Sequence, residues 1–227
     1  MAHPQSSTEV RLAGLLLLLT APAFAPALGR TFVGPDDWVR IDQASALLAG
    51  ELAGLSAAVA GPSPLEALRL SALPLWVADV ALHGLNTGAF FLFNILALQA
   101  CALCVMSLGT RLSRSPWLGL AAGAWFAFNA ATAQPLYFLA ARDDLLATLF
   151  SLLLVTLWPR LRGSVRGLLL AQVLYALALL SKGPALLVPL VLRRVRRKWI
   201  FSGGVCCMVV ASLLLVRMTR APRSTAS

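Results

Sequence analysis

Charge is the first thing this sequence lacks. Asp, Glu, Lys and Arg make up 12% of its 227 residues, about half the roughly 25% of a soluble domain. Acids are scarcer still, with nine in all and none after residue 144. So little charge excludes an ordinary soluble domain. Histidine is also sparse: His3 lies in the N-terminal tail, and His83 reads as an interfacial residue with a local hydrogen bond. Cys101 and Cys104 have CxxC spacing but sit inside one apolar run, and Cys206 and Cys207 sit inside another. No second ligand pair is in reach of either, which excludes a zinc site and leaves small hydrophobes. No internal repeat is present, which excludes a repeat array.

What the sequence has is apolar runs. Hydrophobic residues make up 59%, the mean hydropathy is +0.81, and runs long enough to cross a bilayer recur. The expected fold class is all-α, a polytopic integral membrane protein in the lipid bilayer, forming a single domain over 1–227. Spans are expected near 11–28, 88–109, 116–134, 143–158, 166–181, 184–198 and 199–216, followed by a polar tail over 217–227. The first is read as an uncleaved helix, with a signal peptide as the alternative, because the n-region is weak and residues 12–28 are nearly long enough to span. The sixth is the weakest, since "GPALLVPLVL" gives roughly 15 Å of helix and relies on snorkelling arginines.

Between the first two spans lies an outer loop, 30–87, too polar in its first half to cross. Leu48, Leu52, Leu55 and Val59 recur there at helical spacing and predict an interfacial helix. A second short helix is expected over 64–83, bent or interrupted at Pro74.

A net charge of +10 invites a nucleic-acid reading, but the cations are clustered between apolar runs. Arg111 and Arg114, then Arg160, Arg162 and Arg166, then "RRVRRK" (193–198) hold ten of the 19 Lys and Arg. This is the positive-inside pattern of cytoplasmic loops rather than a nucleic-acid surface. Eight of the nine acids then fall on the outer side. For a bacterial inner membrane, that face is periplasmic.

On this topology three polar stretches share the outer face: "PDDWVR" (35–40), "ARDDLL" (141–146) and "SKGP" (181–184). Ionisable groups at membrane depth are costly and mark sites. Acids beside Arg142 and Lys182 suit a substrate with a phosphate and a hydroxyl to deprotonate. Plainer roles stand beside these. Asp143 and Asp144 can cap a helix, Lys182 can snorkel to the interface, and Asp36 and Asp37 can form a solvated turn after Gly34-Pro35. Asp42 reads as a helix start.

The order and spacing of these pieces resemble the GT-C membrane glycosyltransferases, in the protein O-mannosyltransferase-like branch that often carries tetratricopeptide repeats. The resemblance covers residues 31–192. It rests on Asp36-Asp37, on Arg69 ahead of "HGLNTGAFFLFN" (83–94), on "ARDDLLATLF", and on "LLSKGP". It implies inverting transfer of a sugar from a polyprenyl-phosphate donor to an acceptor hydroxyl on the outer face. Asp37 or Asp36 would be the general base. Arg69, Arg142, Asp143, Asp144, Lys182 and Gln134 would contact substrate, with Arg142 and Lys182 neutralising the leaving phosphate.

The departures point the other way. Where the branch commonly has "HP-x-H-x-E", this chain has Asn129, Ala130, Thr132 and Gln134, and Gly183 replaces the glutamate of "SKE". Gln134 hydrogen-bonds but does not move protons at neutral pH. A divalent metal is left open, with no clear ligand set. Only the seven-helix module is represented, so the alternative is a non-catalytic relative or a subunit whose membrane partner supplies missing helices. A small transporter is disfavoured, since the spans lack the paired broken helices of an inverted repeat.

Overall fold

Apolar runs set the helices of this chain, and short polar breaks set their ends. A computed structural model describes residues 7–32, 34–51, 72–131 and 134–194. Every regular element among them is helical. The α-helices are α1 (Ser7–Phe24), α2 (Pro35–Leu48), α3 (Leu73–His83), α4 (Thr87–Ser113), α5 (Pro116–Phe128), α6 (Arg142–Leu161), α7 (Val165–Ser181) and α8 (Val188–Arg194). Short 3-10 turns cover Ala25–Gly29, Gln134–Leu136, Leu139–Ala141 and Gly183–Leu187.

Two tight hairpins build the bundle. Arg114 adopts left-handed backbone (φ 58°) to end α4, Ser115 caps α5, and Pro116 occupies its first turn, where a missing N–H costs nothing. The helices then pack at close range through glycine. A Cβ on Gly119 would lie 2.7 Å from the Met106 carbonyl oxygen, and one on Gly123 would lie 2.9 Å from that of Ala102. Gly119 and Gly123 thus form the small-xxx-small stripe that lets helix backbones approach. The second hairpin joins α6 to α7 through Ser164, whose hydroxyl accepts from the Gly167 N–H at 3.0 Å.

Arg111 at the end of α4 donates to the Thr156 carbonyl near the end of α6 at 2.7 Å. One end of the bundle therefore gathers Arg111, Arg114, Arg160, Arg162 and Arg166. The opposite end holds α2, α3 and the starts of α4 and α6. The long core runs through both halves of the chain, from Leu16 and Phe24 to Phe90, Leu98, Leu139 and Leu146. Large apolar side chains also cover the outside, among them Leu18, Leu96, Trp117, Trp125 and Leu169. Exposed apolar surface on that scale is what lipid requires and water does not.

Three helical stretches are long and apolar enough to cross a membrane: Ser7–Gly29, Thr87–Ser113 and Leu139–Leu161. Shorter apolar helices are Leu73–His83, Pro116–Phe128 and Val165–Ser181. The expected seven crossings are not reached among the described residues, and the causes are local. The third expected span stops at Phe128, six residues early, because the Asn129 side chain accepts from the Ala131 N–H at 2.9 Å and turns the chain. Of the sixth, the described part is a 3-10 turn leading into the seven-residue α8. The seventh, 199–216, lies outside the described residues, as do Leu52, Leu55 and Val59.

The outer loop also differs from expectation. Pro74 lies in the first turn of α3, and residues 64–71 of the helix expected over 64–83 lie outside the described residues. Gly34-Pro35 starts α2 rather than a solvated turn. Asp42 is consequently an exposed residue in the middle of α2, not a helix start.

Candidate functional site

α2 begins at Pro35, so Asp36 and Asp37 both occupy its first turn, where carboxylates favour free N–H groups and the helix dipole. Successive helical residues point about 100° apart, and the pair separates accordingly. Asp36 is exposed, whereas Asp37 is 1% exposed and shares the inward face with Ile41 and Ala44. Its Oδ1 accepts from the Ala140 N–H at 2.8 Å. One turn on, Arg40 Nη2 meets Asp143 Oδ2 at 3.5 Å. Two polar contacts thus dock α2 onto the start of α6.

Arg142 is the hub beneath them. It is 0% exposed, and two helices supply its partners. Nη1 donates to Asp79 Oδ2 of α3 at 2.6 Å, Nε to Asn94 Oδ1 of α4 at 3.0 Å, and Nη2 to the Phe90 carbonyl at 3.0 Å. The guanidinium also lies 5.0 Å from the Trp76 ring centroid and 4.9 Å from that of Phe93, within cation–π range. Asn94 completes the network by donating to the Pro135 carbonyl at 2.8 Å. A buried guanidinium needs this density of partners to stay charged.

Beside this hub lies a cavity of about 360 Å³, lined by Leu98, Phe126, Gln134, Asp144, Thr148 and Lys182 among others. That volume falls near the lower end of the roughly 300–1,000 Å³ typical of small-molecule sites. Lys182, at the end of α7, forms an ion pair with Asp144, and both side chains remain substantially exposed. The Thr148 hydroxyl donates to the Asp144 carbonyl at 2.8 Å. Apolar walls and a polar rim make the cavity amphipathic.

The expected site residues therefore divide. Gln134, Asp144 and Lys182 line the cavity. Asp37, Arg142 and Asp143 sit alongside it in the buried network and are not part of its wall. Asp36 faces outward, and Arg69 and Thr132 lie outside the described residues. Arg40, Asp79, Asn94 and Thr148 belong to the site or its support and were not singled out from the sequence. Asp79 and Asn94 carried a usable signal, since each is a polar residue inside an apolar helix. Arg40 carried one as the cation of "PDDWVR", though no role was given to it, and Thr148 carried none.

The metal left open by the resemblance finds no ligand set: among the described residues, no group of three or more His, Cys, Asp or Glu side chains is placed to hold an ion. No family model, curated protein or solved structure matches the chain.

Proposed function

We propose that this chain is a membrane glycosyltransferase module, moving a sugar from a polyprenyl-phosphate donor to an acceptor hydroxyl at the acid-rich end of the bundle. The observation that carries this reading is the meeting of "PDDWVR", "ARDDLL" and "SKGP" beside one amphipathic cavity. Such a donor joins an apolar chain, an anion and a polyol. Leu98, Phe126, Pro135 and Leu145 match the first, Lys182 the second, and Gln134, Asp144 and Thr148 the third.

In an inverting transfer the acceptor oxygen attacks the anomeric carbon as the bond to phosphate breaks. Lys182 meets the charge that develops on the departing phosphate. Arg142, enclosed by Asp79 and three aromatic rings, supports the reaction by positioning the start of α6. On the positive-inside tendency, the arginine-rich end is cytoplasmic and the cavity opens to the periplasmic face of a bacterial inner membrane.

The test is turnover by the purified protein in lipid nanodiscs, offered a panel of polyprenyl-phosphate sugars, with release of polyprenyl phosphate as the readout. Lys182→Met is expected to lose at least about 100-fold in rate with the fold intact. Equal release by wild type and Lys182→Met would reject the reading.

A second reading, a non-catalytic relative that lends its helices to a membrane partner, draws on Gln134 standing where the branch has an acid. It also draws on Asp37 and Arg142 serving as structural ties. It predicts a stable complex in native membranes and no sugar release from any donor.

A further inference from the structure

We propose that Asp144, rather than the Asp36-Asp37 pair, is the catalytic base, and that Lys182 holds it in reserve until a donor phosphate displaces it. This rests on the glycosyl-transfer reading. Among the described residues lining the cavity, Asp144 is the one carboxylate and Lys182 the one cation. A base must come within hydrogen-bond reach of the hydroxyl it deprotonates. Asp144 already borders the space a ligand would fill. Asp37 instead is buried against the Ala140 N–H, and neither it nor Asp36 lines the cavity.

The ion pair explains how the base is kept and released. Lys182 is 36% and Asp144 48% exposed at the side chain, so solvent screens their attraction and exchange is easy. The donor phosphate is a diester with one negative charge, as a carboxylate has. Its apolar chain anchors it in the cavity beside Lys182, where it competes for the ammonium, and the monoester released on transfer carries more charge still. When the donor phosphate takes Lys182, the Asp144 carboxylate in the first turn of α6 is left without its ammonium and open to an acceptor hydroxyl.

The step then balances. The acceptor O–H proton passes to the Asp144 carboxylate as the acceptor oxygen bonds to the anomeric carbon. The anomeric C–O bond to phosphate breaks, and its electron pair leaves on the phosphate, against Lys182. Without donor the base stays paired, so water in the cavity is not activated.

The experiment uses the full chain in nanodiscs with farnesyl phosphate as the binding probe. Asp144→Asn removes the competing anion and is expected to tighten binding about threefold. Asp144→Ser is expected to do the same. Lys182→Met is expected to weaken binding at least about tenfold, and Asp37→Asn to leave it unchanged. With a sugar-loaded donor, Asp144→Asn is expected to lose at least about 100-fold in kcat without a rise in KM. Weaker or unchanged probe binding in both Asp144 variants overturns the exchange. Full turnover in Asp144→Asn together with loss in Asp37→Asn overturns the base assignment. No turnover by wild type on any donor rejects the transfer reading and the base with it, while tightening in the Asp144 variants still supports the exchange.

Discussion

Arg142 and Asp79, 63 positions apart in sequence, meet at 2.6 Å with the guanidinium wholly withdrawn from solvent. Removing one member of such a pair strands the other charge. Arg142→Met is expected to cost about 3–5 kcal/mol, and Arg142→Lys to rescue little, because an ammonium lacks the planar fork that reaches Asp79, Asn94 and Phe90 together. Denaturant unfolding in detergent measures both. A double-mutant cycle with Asp79→Asn is expected to show coupling, since the two residues share one network.

Asn94 offers a sharper probe of the same network because it both accepts and donates. Asn94→Leu leaves the Pro135 carbonyl and Arg142 Nε without their partner, at an expected cost of about 1–3 kcal/mol for each buried group. Since Pro135 belongs to the connection between α5 and α6, limited proteolysis within residues 129–141 is expected to accelerate.

At Asp37 a structural role and a chemical one can be separated. Asp37→Asn keeps an oxygen for the Ala140 N–H and is expected to change stability by less than about 1 kcal/mol. Asp37→Leu orphans that N–H and is expected to cost about 1–3 kcal/mol. If α2 docks as described, the leucine variant releases it, which hydrogen exchange over residues 35–48 would register.

The α4–α5 hairpin depends on the absence of side chains at its crossing. Gly119→Ala would press a methyl group onto the Met106 carbonyl and Thr110, with an expected loss of about 1–3 kcal/mol. Gly14→Ala is the matched control. Nothing lies within 4 Å of an added Cβ there, so a neutral or slightly stabilising effect of about 0.4–1 kcal/mol is expected. Thermal melts of the two variants in the same detergent make the comparison.

Helices α4, α6 and α7 were legible from their apolar runs to within a few residues, because lipid-length hydrophobicity is a strong one-dimensional signal. The polar stretches were legible as a group for a related reason: charge at membrane depth needs a cause. Their division into cavity wall and buried hub was not. Asp37, Ile41 and Ala44 share one helical face, but only the packing of α2 on Leu139–Ala141 shows that this face is the buried one. Asp143 and Asp144 are adjacent residues sent by the helical turn to Arg40 and Lys182 respectively. Span lengths failed where a side chain intervened, as Asn129 does at the end of α5. Arg142 was expected to face a substrate phosphate, but its cation is satisfied by Asp79, a residue that composition alone counts as one more acid on the outer side.

Both contacts that seat α2 join residues 103 positions apart. On the ribosome, Asp37 and Arg40 leave the exit tunnel several seconds ahead of Ala140 and Asp143 at roughly 5–20 residues per second. During that interval α2 lacks these two contacts, and its exposed Trp38 and Val39 give it a reason to linger at the lipid surface. Insertion of α6 is therefore the event that seats α2, and α7 then brings Lys182 to Asp144 to complete the site.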